Sequence, residues 1–522
     1  MEKFVSRHAG AVIGTLCGFD RLVFRGTLRM LAHRGGMMTY LGAVGVLLKD
    51  FAAHAEALSR RLREASDALA RETGRPIRYL ASSAANKEEV ARAIARADGI
   101  EQGLVCILTA VEPCQSYEIV RKREAKLLEL EPRPRKCLHL YHYQIHPVLG
   151  FMHARIQTWF PFSIQVCLNG REWLARALDR AGIGYVQREN CFTWLEDPAR
   201  AQRLMDRQVQ AAWPQVLDGI ARRLNPAHEA MFAAFPVAYY WSTYQSEWAS
   251  DILFRDPAAL ARLYPRLVHH GLTTFLSPDV MRFLGRNIPP SGRLPPRLQA
   301  DVVSDMKTRP EGVRIKHRLA GNAIKMYDKQ GSVLRVETTI NDARQFKTFR
   351  APEGKPEASK SWQRMRKGIA DLHRRAEVSQ AANDRYLGAL AAVDDATSLG
   401  ELAARLCQPV TRNGRRFRPL NPYASADAQL LEAISRGEFA LNGFRNRDLR
   451  RLLFADDTAP RHDRRRHAAA VSRKLALLRA HRLIRKVPGT HRYHLSAAGR
   501  TIVTALITAR NTSTDVLTKL AA

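Results

Sequence analysis

Between Cys137 and Leu168 apolar and polar residues alternate in three short runs. A period of two suits a half-buried antiparallel sheet and does not suit a helix. Pro147-Val148-Leu149-Gly150 separates the first two runs with turn-forming residues, so they read as a β-hairpin. The expected register pairs His146 with Phe151, Gln144 with His153 and His142 with Arg155. Side chains alternate across a strand. One face then carries Tyr141, Tyr143, Ile145, Met152, Ala154 and Ile156. The other carries His142, Gln144, His146, Phe151, His153, Arg155 and Gln157. The third run sets Ser163, Gln165 and Cys167 against Ile164, Val166 and Leu168. The reading is a sheet with one face on a core and one presented to a ligand, and a slip of one residue would scramble the two lists.

A chain of 522 residues is too long for a single core. Its pattern predicts four regions. Residues 1–198 alternate helix and strand and include the hairpin. Residues 199–350 hold a helical segment and a β-meander, with a Pro/Gly-rich break at 288–296 between them. Residues 351–420 form a basic linker region, helical over Ser361–Val393, and residues 421–522 form a final domain. The expected class is α+β: an antiparallel sheet core with surrounding helices, a helical middle segment and a C-terminal winged helix-turn-helix.

The formal net charge of +33 arises from 83 Lys and Arg against 50 Asp and Glu. Such an excess calls for a polyanionic partner, and nucleic acid is the simplest, DNA before RNA. The basic residues are spread along the chain instead of flanking an apolar anchor, which argues against a membrane surface. No run approaches the roughly 18 apolar residues of a membrane helix. Seven cysteines without a CxxC spacing read as reduced thiols. The expected location is the cytoplasm, on the nucleoid. Nothing in the pattern indicates a small-molecule ligand or an oligomeric state.

Asp20 in the apolar stretch FDRLVF resembles the first-strand acid of RNase H-like folds, but as a single acid it is read as structural. The aromatic cluster Tyr239, Tyr240, Trp241, Tyr244 and Trp248 is read as core, with base stacking as the other option.

Residues 313–341 read as three short strands joined by Gly-containing turns. Here KMYDK is followed by LRVE, which resembles the strand pair of rolling-circle plasmid and filamentous-phage replication initiators. The resemblance covers about 15 residues. It implies strand nicking with Tyr327 as nucleophile, its phenolate favoured by Lys329, and Glu337 as a further ligand or base. Those initiators hold their metal through two histidines flanking one hydrophobic residue. The nearest counterpart here is His142, His146 and His153, which on the expected face would hold a divalent metal ion. The same face, with Arg155, also suits contact with phosphates or plain solvent.

Arg415 and Arg416 lie in a basic hairpin beside Asn413-Gly414, placed for phosphate contact. Beyond residue 421 the order is helix, helix, helix, two-stranded hairpin, helix, which resembles MarR-like winged-helix regulators. That resemblance puts the third helix in a major groove, with Arg465, Arg466, Ser472, Arg473 and Lys474 reaching phosphates or guanine edges. His491 and Arg492 on the wing would follow the backbone. The chain as a whole also resembles a widespread bacterial family, which names no activity. Three functions follow: a replication or transposition protein of mobile-element type that nicks strands; a non-catalytic RNA- or DNA-binding component; or a large transcription regulator. All three require binding dominated by counterion release. The logarithm of the affinity for nucleic acid should therefore fall steeply and linearly with the logarithm of salt concentration. A flat profile in a filter-binding titration would remove the common ground of all three.

Overall fold

The computed structural model describes residues 1–122, 124, 127–286, 302–309, 312–352, 354–355, 357–391, 399–436, 439, 443–454 and 460–513. The expected break at 288–296 lies outside them. The chain forms two compact units. The first takes Met1–His269, Phe283–Gly285 and Val303–Leu390; the second is built mainly on the described residues after Ala391.

The first unit is organised on one sheet. Its strands are β1 (Val12–Leu28), β2 (Ile77–Tyr79), β3 (Gly103–Lys122), β4 (Leu127–His146), β5 (Gly150–Gln157) and β6 (Ile164–Asn169). A small hairpin, β7 (Tyr185–Arg188) and β8 (Cys191–Leu195), stands apart from it. The sheet continues with β9 (Tyr239–Phe254), β10 (Val302–Arg309), β11 (Gly312–Leu319), β12 (Asn322–Lys329) and β13 (Val333–Ile340). Among the described residues eleven strands join in the order β10-β11-β12-β13-β9-β1-β6-β5-β4-β3-β2. β2 runs parallel to β3, and the other pairings with a defined register are antiparallel. The expected α+β class with an antiparallel sheet core is thus present. Segments 1–198 and 199–350, read as separate regions, share this sheet, because β9 pairs with β1 along nearly its whole length.

One face of the sheet carries Leu22, Phe24 and Leu28 of β1, Met152, Ala154 and Ile156 of β5, and Trp241 and Trp248 of β9, all in one core. Helix Phe51–Glu72 covers part of it, burying Phe51, Ala55, Leu58 and Leu62 at helical spacing. Each large apolar side chain so buried contributes roughly 1.5–3 kcal/mol. Trp241 and Trp248 are buried while Tyr240 and Tyr244 are exposed, so only part of the aromatic cluster is core; Tyr244 is the extra residue where the pairing with β1 shifts between Val23 and Phe24.

The hairpin exists as β4 and β5, but its register differs by one residue from the expected one. His146 pairs with Gly150, Tyr143 with His153 and His142 with Ala154. The cause is the turn. Gly150 takes φ +70°, a conformation open to glycine, and so closes a three-residue loop instead of ending a four-residue one. His146 braces that loop, its Nδ1 accepting from the backbone N–H of Val148 at 3.1 Å and Leu149 at 3.2 Å. The slip divides the histidines. His142 now faces the core, fully buried, with Nε2 3.2 Å from Ser66 Oγ. His153 and Arg155 share the other face with Tyr141 and Tyr143.

Residues 361–393 are not one helix. β14 (Lys347–Arg350) pairs with β15 (Ser361–Arg364), and the helix begins only at Leu372. In the second unit, helices Ser425–Ser435, Asn446–Phe454 and Arg461–Ala480 precede a hairpin of Ile484–Lys486 with Tyr493–Leu495, and helix Ala497–Asn511 follows. Leu430, Leu449, Val471, Leu475, Leu478, Leu483 and Val503 form its core. No helix among the described residues is long and apolar enough to cross a membrane.

Burial pushes His139, His142 and His317 each down to about 4, with Arg155 adding to the effect at His139. The unfolded chain would take up these protons near pH 6.5, so between pH 6.5 and 4 it binds more protons than the folded one. Stability should therefore fall as pH drops through that window, by about 2 kcal/mol per histidine at pH 5. Urea midpoints at pH 7.5 and pH 5 test this, and His142→Gln should lessen the difference; equal midpoints would contradict it.

Candidate metal centre

The register of β1 against β9 shifts at three places, and the middle one falls at Asp20. Phe19 pairs with Trp248 and Arg21 with Glu247, which leaves Asp20 as the extra residue of a β-bulge. A bulge re-aims a side chain, and Asp20 meets the side chains of Glu247 on β9 and Glu337 on β13. One carboxylate oxygen from each of the three lies within 4.8 Å of the others. Asp20 and Glu337 are buried, and Glu247 is partly open.

Lys325 on β12, directly opposite Glu337, lies between two of these acids. Its Nζ is 2.6 Å from Glu337 Oε1 and 3.0 Å from Glu247 Oε1. Tyr327 donates its hydroxyl to Glu337 Oε2 at 3.4 Å, and Thr339 Oγ1 donates to Glu247 Oε1 at 3.4 Å.

A second shell of buried charge holds the bulge. Arg335, fully buried on β13, grips Asp251 with two parallel bonds of 2.6 and 2.8 Å and donates from Nη1 to Asp20 Oδ1 at 3.1 Å. Arg171, also fully buried, donates to Asp251 Oδ2 at 2.8 Å and to the carbonyls of Gly18 and Phe19 at 3.2 and 3.3 Å. Asn190, between β7 and β8, donates to both oxygens of Asp20. Burial would raise the Asp251 carboxyl, but Arg335 and Arg171 outweigh it and hold it below the usual range.

Glu337 is shifted the opposite way. Burial pushes Glu337 up to about 7; Lys325 opposes the rise, while Glu247 and Asp20 add to it. Burial would lower Lys325, yet Glu337 and Glu247 keep it charged. Arg335 is largely engaged by Asp251, so three carboxylates answer chiefly to one ammonium. The cluster therefore has excess negative charge and only hard oxygen donors, the set that suits Mg²⁺ or Mn²⁺. Asp20, Glu247 and Glu337 could hold such an ion.

Of the residues expected to act, Glu337 and Tyr327 are brought together. Lys329 is buried with its Nζ 5.8 Å from the Tyr327 ring centroid. The Tyr327 phenol is pushed up by burial and by Glu337, which opposes the expected phenolate nucleophile. His142, His146 and His153 are not brought together: the first faces the core, the second caps the turn, and the third lies on the opposite face of the sheet from His142. The expected three-histidine metal site is therefore absent. Arg155 is held within the protein, 2.9 Å from His139 Nε2 and 3.5 Å from Glu112. In the second unit Arg415, Arg416, Arg465, Arg466, Arg473 and His491 are exposed, and Lys474 and Arg492 are half-buried. Ser472 is exposed too, but its hydroxyl accepts from Asn446 Nδ2 at 2.9 Å.

Sequence reasoning missed Glu247 and Lys325 and set Asp20 aside. The available signal was acidic residues inside strand-forming runs, FDRLVF and LRVETTI, where an acid is unfavourable unless it is partnered. Comparison with known proteins yields no match, whether to a family model, a curated protein or a solved structure.

Glu337 should titrate near neutrality. Infrared difference spectra should show a carboxyl deprotonating with a midpoint at about 7, lost in Glu337→Gln. Saturating Mg²⁺ should move that midpoint down. A carboxyl fully ionised at pH 5 would contradict the assignment.

Proposed function

We propose that this chain binds nucleic acid and cleaves or transfers a strand at the Asp20–Glu247–Glu337 centre. The observation that carries the reading is the convergence of three carboxylates from three adjacent strands onto one point, one of them delivered by a bulge. A divalent ion there would polarise a phosphoryl oxygen and stabilise charge on the attacked phosphate. Glu337, raised toward neutrality in the metal-free chain, would give up its proton on taking the ion and so offer a charged oxygen ligand. Lys325 supplies a fixed positive charge beside both glutamates. Arg21, exposed on the same strand next to Asp20 and 3.9 Å from Glu88, could turn to a phosphate. Water or a substrate hydroxyl fits the role of nucleophile better than Tyr327, whose phenol stays protonated.

The charge of +33 supports a nucleic-acid partner, DNA before RNA, and a place on the nucleoid. The order of elements in the second unit and the exposed Arg465, Arg466 and Arg473 on helix Arg461–Ala480 support a winged-helix role in choosing the site. Together they favour a protein of mobile-element replication or transposition. A second reading, a non-catalytic nucleic-acid-binding component or regulator, is favoured by one observation: the Lys325 ammonium already bridges two of the acids, as a purely structural cluster would arrange it.

The two readings part on cleavage. With Mg²⁺ or Mn²⁺, the purified chain should cut labelled single-stranded or duplex DNA or RNA. Asp20→Asn and Glu337→Gln should each lower the rate by at least about 100-fold, the order of loss for a removed electrostatic group, and leave binding intact. Tyr327→Phe should retain most of the rate. Binding without cleavage by the wild-type chain would favour the second reading; loss of cleavage in Tyr327→Phe alone would restore the tyrosine nucleophile.

A further inference from the structure

The β14–β15 hairpin has an unusual outer face. Lys347 pairs with Arg364 and Phe349 with Trp362, and these four alternate positions point the same way. Phe349 is 56% exposed and Trp362 57%, with ring centroids 5.5 Å apart. The inner face is anchored by buried Thr348, and the flanking Phe346 and Met365 join Ile340, Ala343 and Val378 in a small core. The aromatic pair is thus held on a fixed hairpin and left in solvent, where it costs free energy unless something covers it.

Beside it lies a cleft of about 560 Å³ lined by Lys347, Arg350, Trp362, Gln363, Arg364 and Arg366. Four of these six are cationic and none is acidic. Arg374 adds a fifth cation, its guanidinium 5.4 Å from the Trp362 ring centroid. The nearby acids are engaged: Asp371 is buried beside Arg350 and accepts from the Arg366 N–H, and Glu377 pairs with Arg374 at 2.7 Å. The Nε–H of Arg350 is buried and has no hydrogen-bond partner among the described residues.

We propose that this cleft binds single-stranded nucleic acid, with phosphates on Lys347, Arg364 and Arg366 and an unpaired base stacked on Trp362 and Phe349. Cations track a backbone and aromatic faces take bases in a sequence-tolerant way. Paired bases hide their faces within a duplex, so open rings select an unpaired strand. This inference rests on the nucleic-acid part of the proposed function and not on the metal chemistry.

Fluorescence anisotropy of a labelled 12-nucleotide oligo(dT) without divalent metal tests it, against a blunt duplex and against thymidine monophosphate as competitor. Trp362→Ala should weaken single-strand binding by roughly 5- to 100-fold, the range one stacked base supplies, and leave duplex binding unchanged. Trp362→Tyr should restore most of the loss, which a folding defect would not allow. Lys347→Gln with Arg364→Gln should reduce the salt slope by about 1.4. Single-strand affinity unchanged in Trp362→Ala overturns the proposal. So does a monophosphate that competes as well as the oligonucleotide at equal phosphate, since the cleft would then be a nucleotide pocket. If the wild-type chain fails to cleave but keeps the Trp362-dependent affinity, the metal-centre reading falls and this one stands.

Discussion

The first unit depends on one buried ion cluster. Asp251, Arg335 and Arg171 are each 1% exposed or less, and charges so deeply placed cost several kcal/mol apiece to desolvate. They are tolerable only because nearly every polar atom has a partner. Arg335 meets Asp251 in a two-pronged pair, and Arg171 donates from its two terminal nitrogens to Asp251 and to the carbonyls of Gly18, Phe19 and Ala249. The carbonyls of Gly18 and Phe19 immediately precede the bulge. The cluster that satisfies its own charges therefore also sets the backbone geometry that delivers Asp20.

From that arrangement the electrostatics of the site follow. Arg335 links the two groups through Asp20, yet its strongest bonds go to Asp251, so Asp20, Glu247 and Glu337 are left with Lys325 as their main counter-charge. The result is a local excess of negative charge in a strongly basic protein. Like charges in a poorly solvated place resist simultaneous ionisation, and Glu337, the most deeply buried of the three, is the one that yields. A carboxylate cluster that could hold a cation, a glutamate raised toward neutrality and a fixed ammonium thus have one physical origin. The cleft on β14–β15 has the reverse character: its lining is mostly cationic and includes no acid, and two aromatic rings beside it are more than half exposed.

Much of the architecture was legible in the residues. The alternation in β4, β5 and β6 and the Gly-containing turns of β11 to β13 appear where the period of two placed them. The helices and hairpin after residue 421 come in the expected order. The misreadings have specific causes. The helix expected over Ser361–Val393 starts late because Ser361–Arg364 pairs with Lys347–Arg350, and charge on a short isolated hairpin has no helical or strand signature of its own. The histidine face was lost to a single residue, Gly150, whose left-handed backbone shortened the loop and shifted every pair.

The sequence by itself determined the period-two strands, their Gly-containing turns, the order of helices and hairpin after residue 421 and the large positive charge, because each rests on local periodicity, local backbone preference or summed charge. Only the tertiary structure decided register and convergence. Asp20, Glu247, Lys325 and Glu337 lie up to 317 residues apart and meet only because β1, β9, β13 and β12 are neighbours in the sheet. No local rule encodes which strands become neighbours. That choice minimises exposed apolar surface and unpaired buried charge over the whole unit, and the site is a consequence of it.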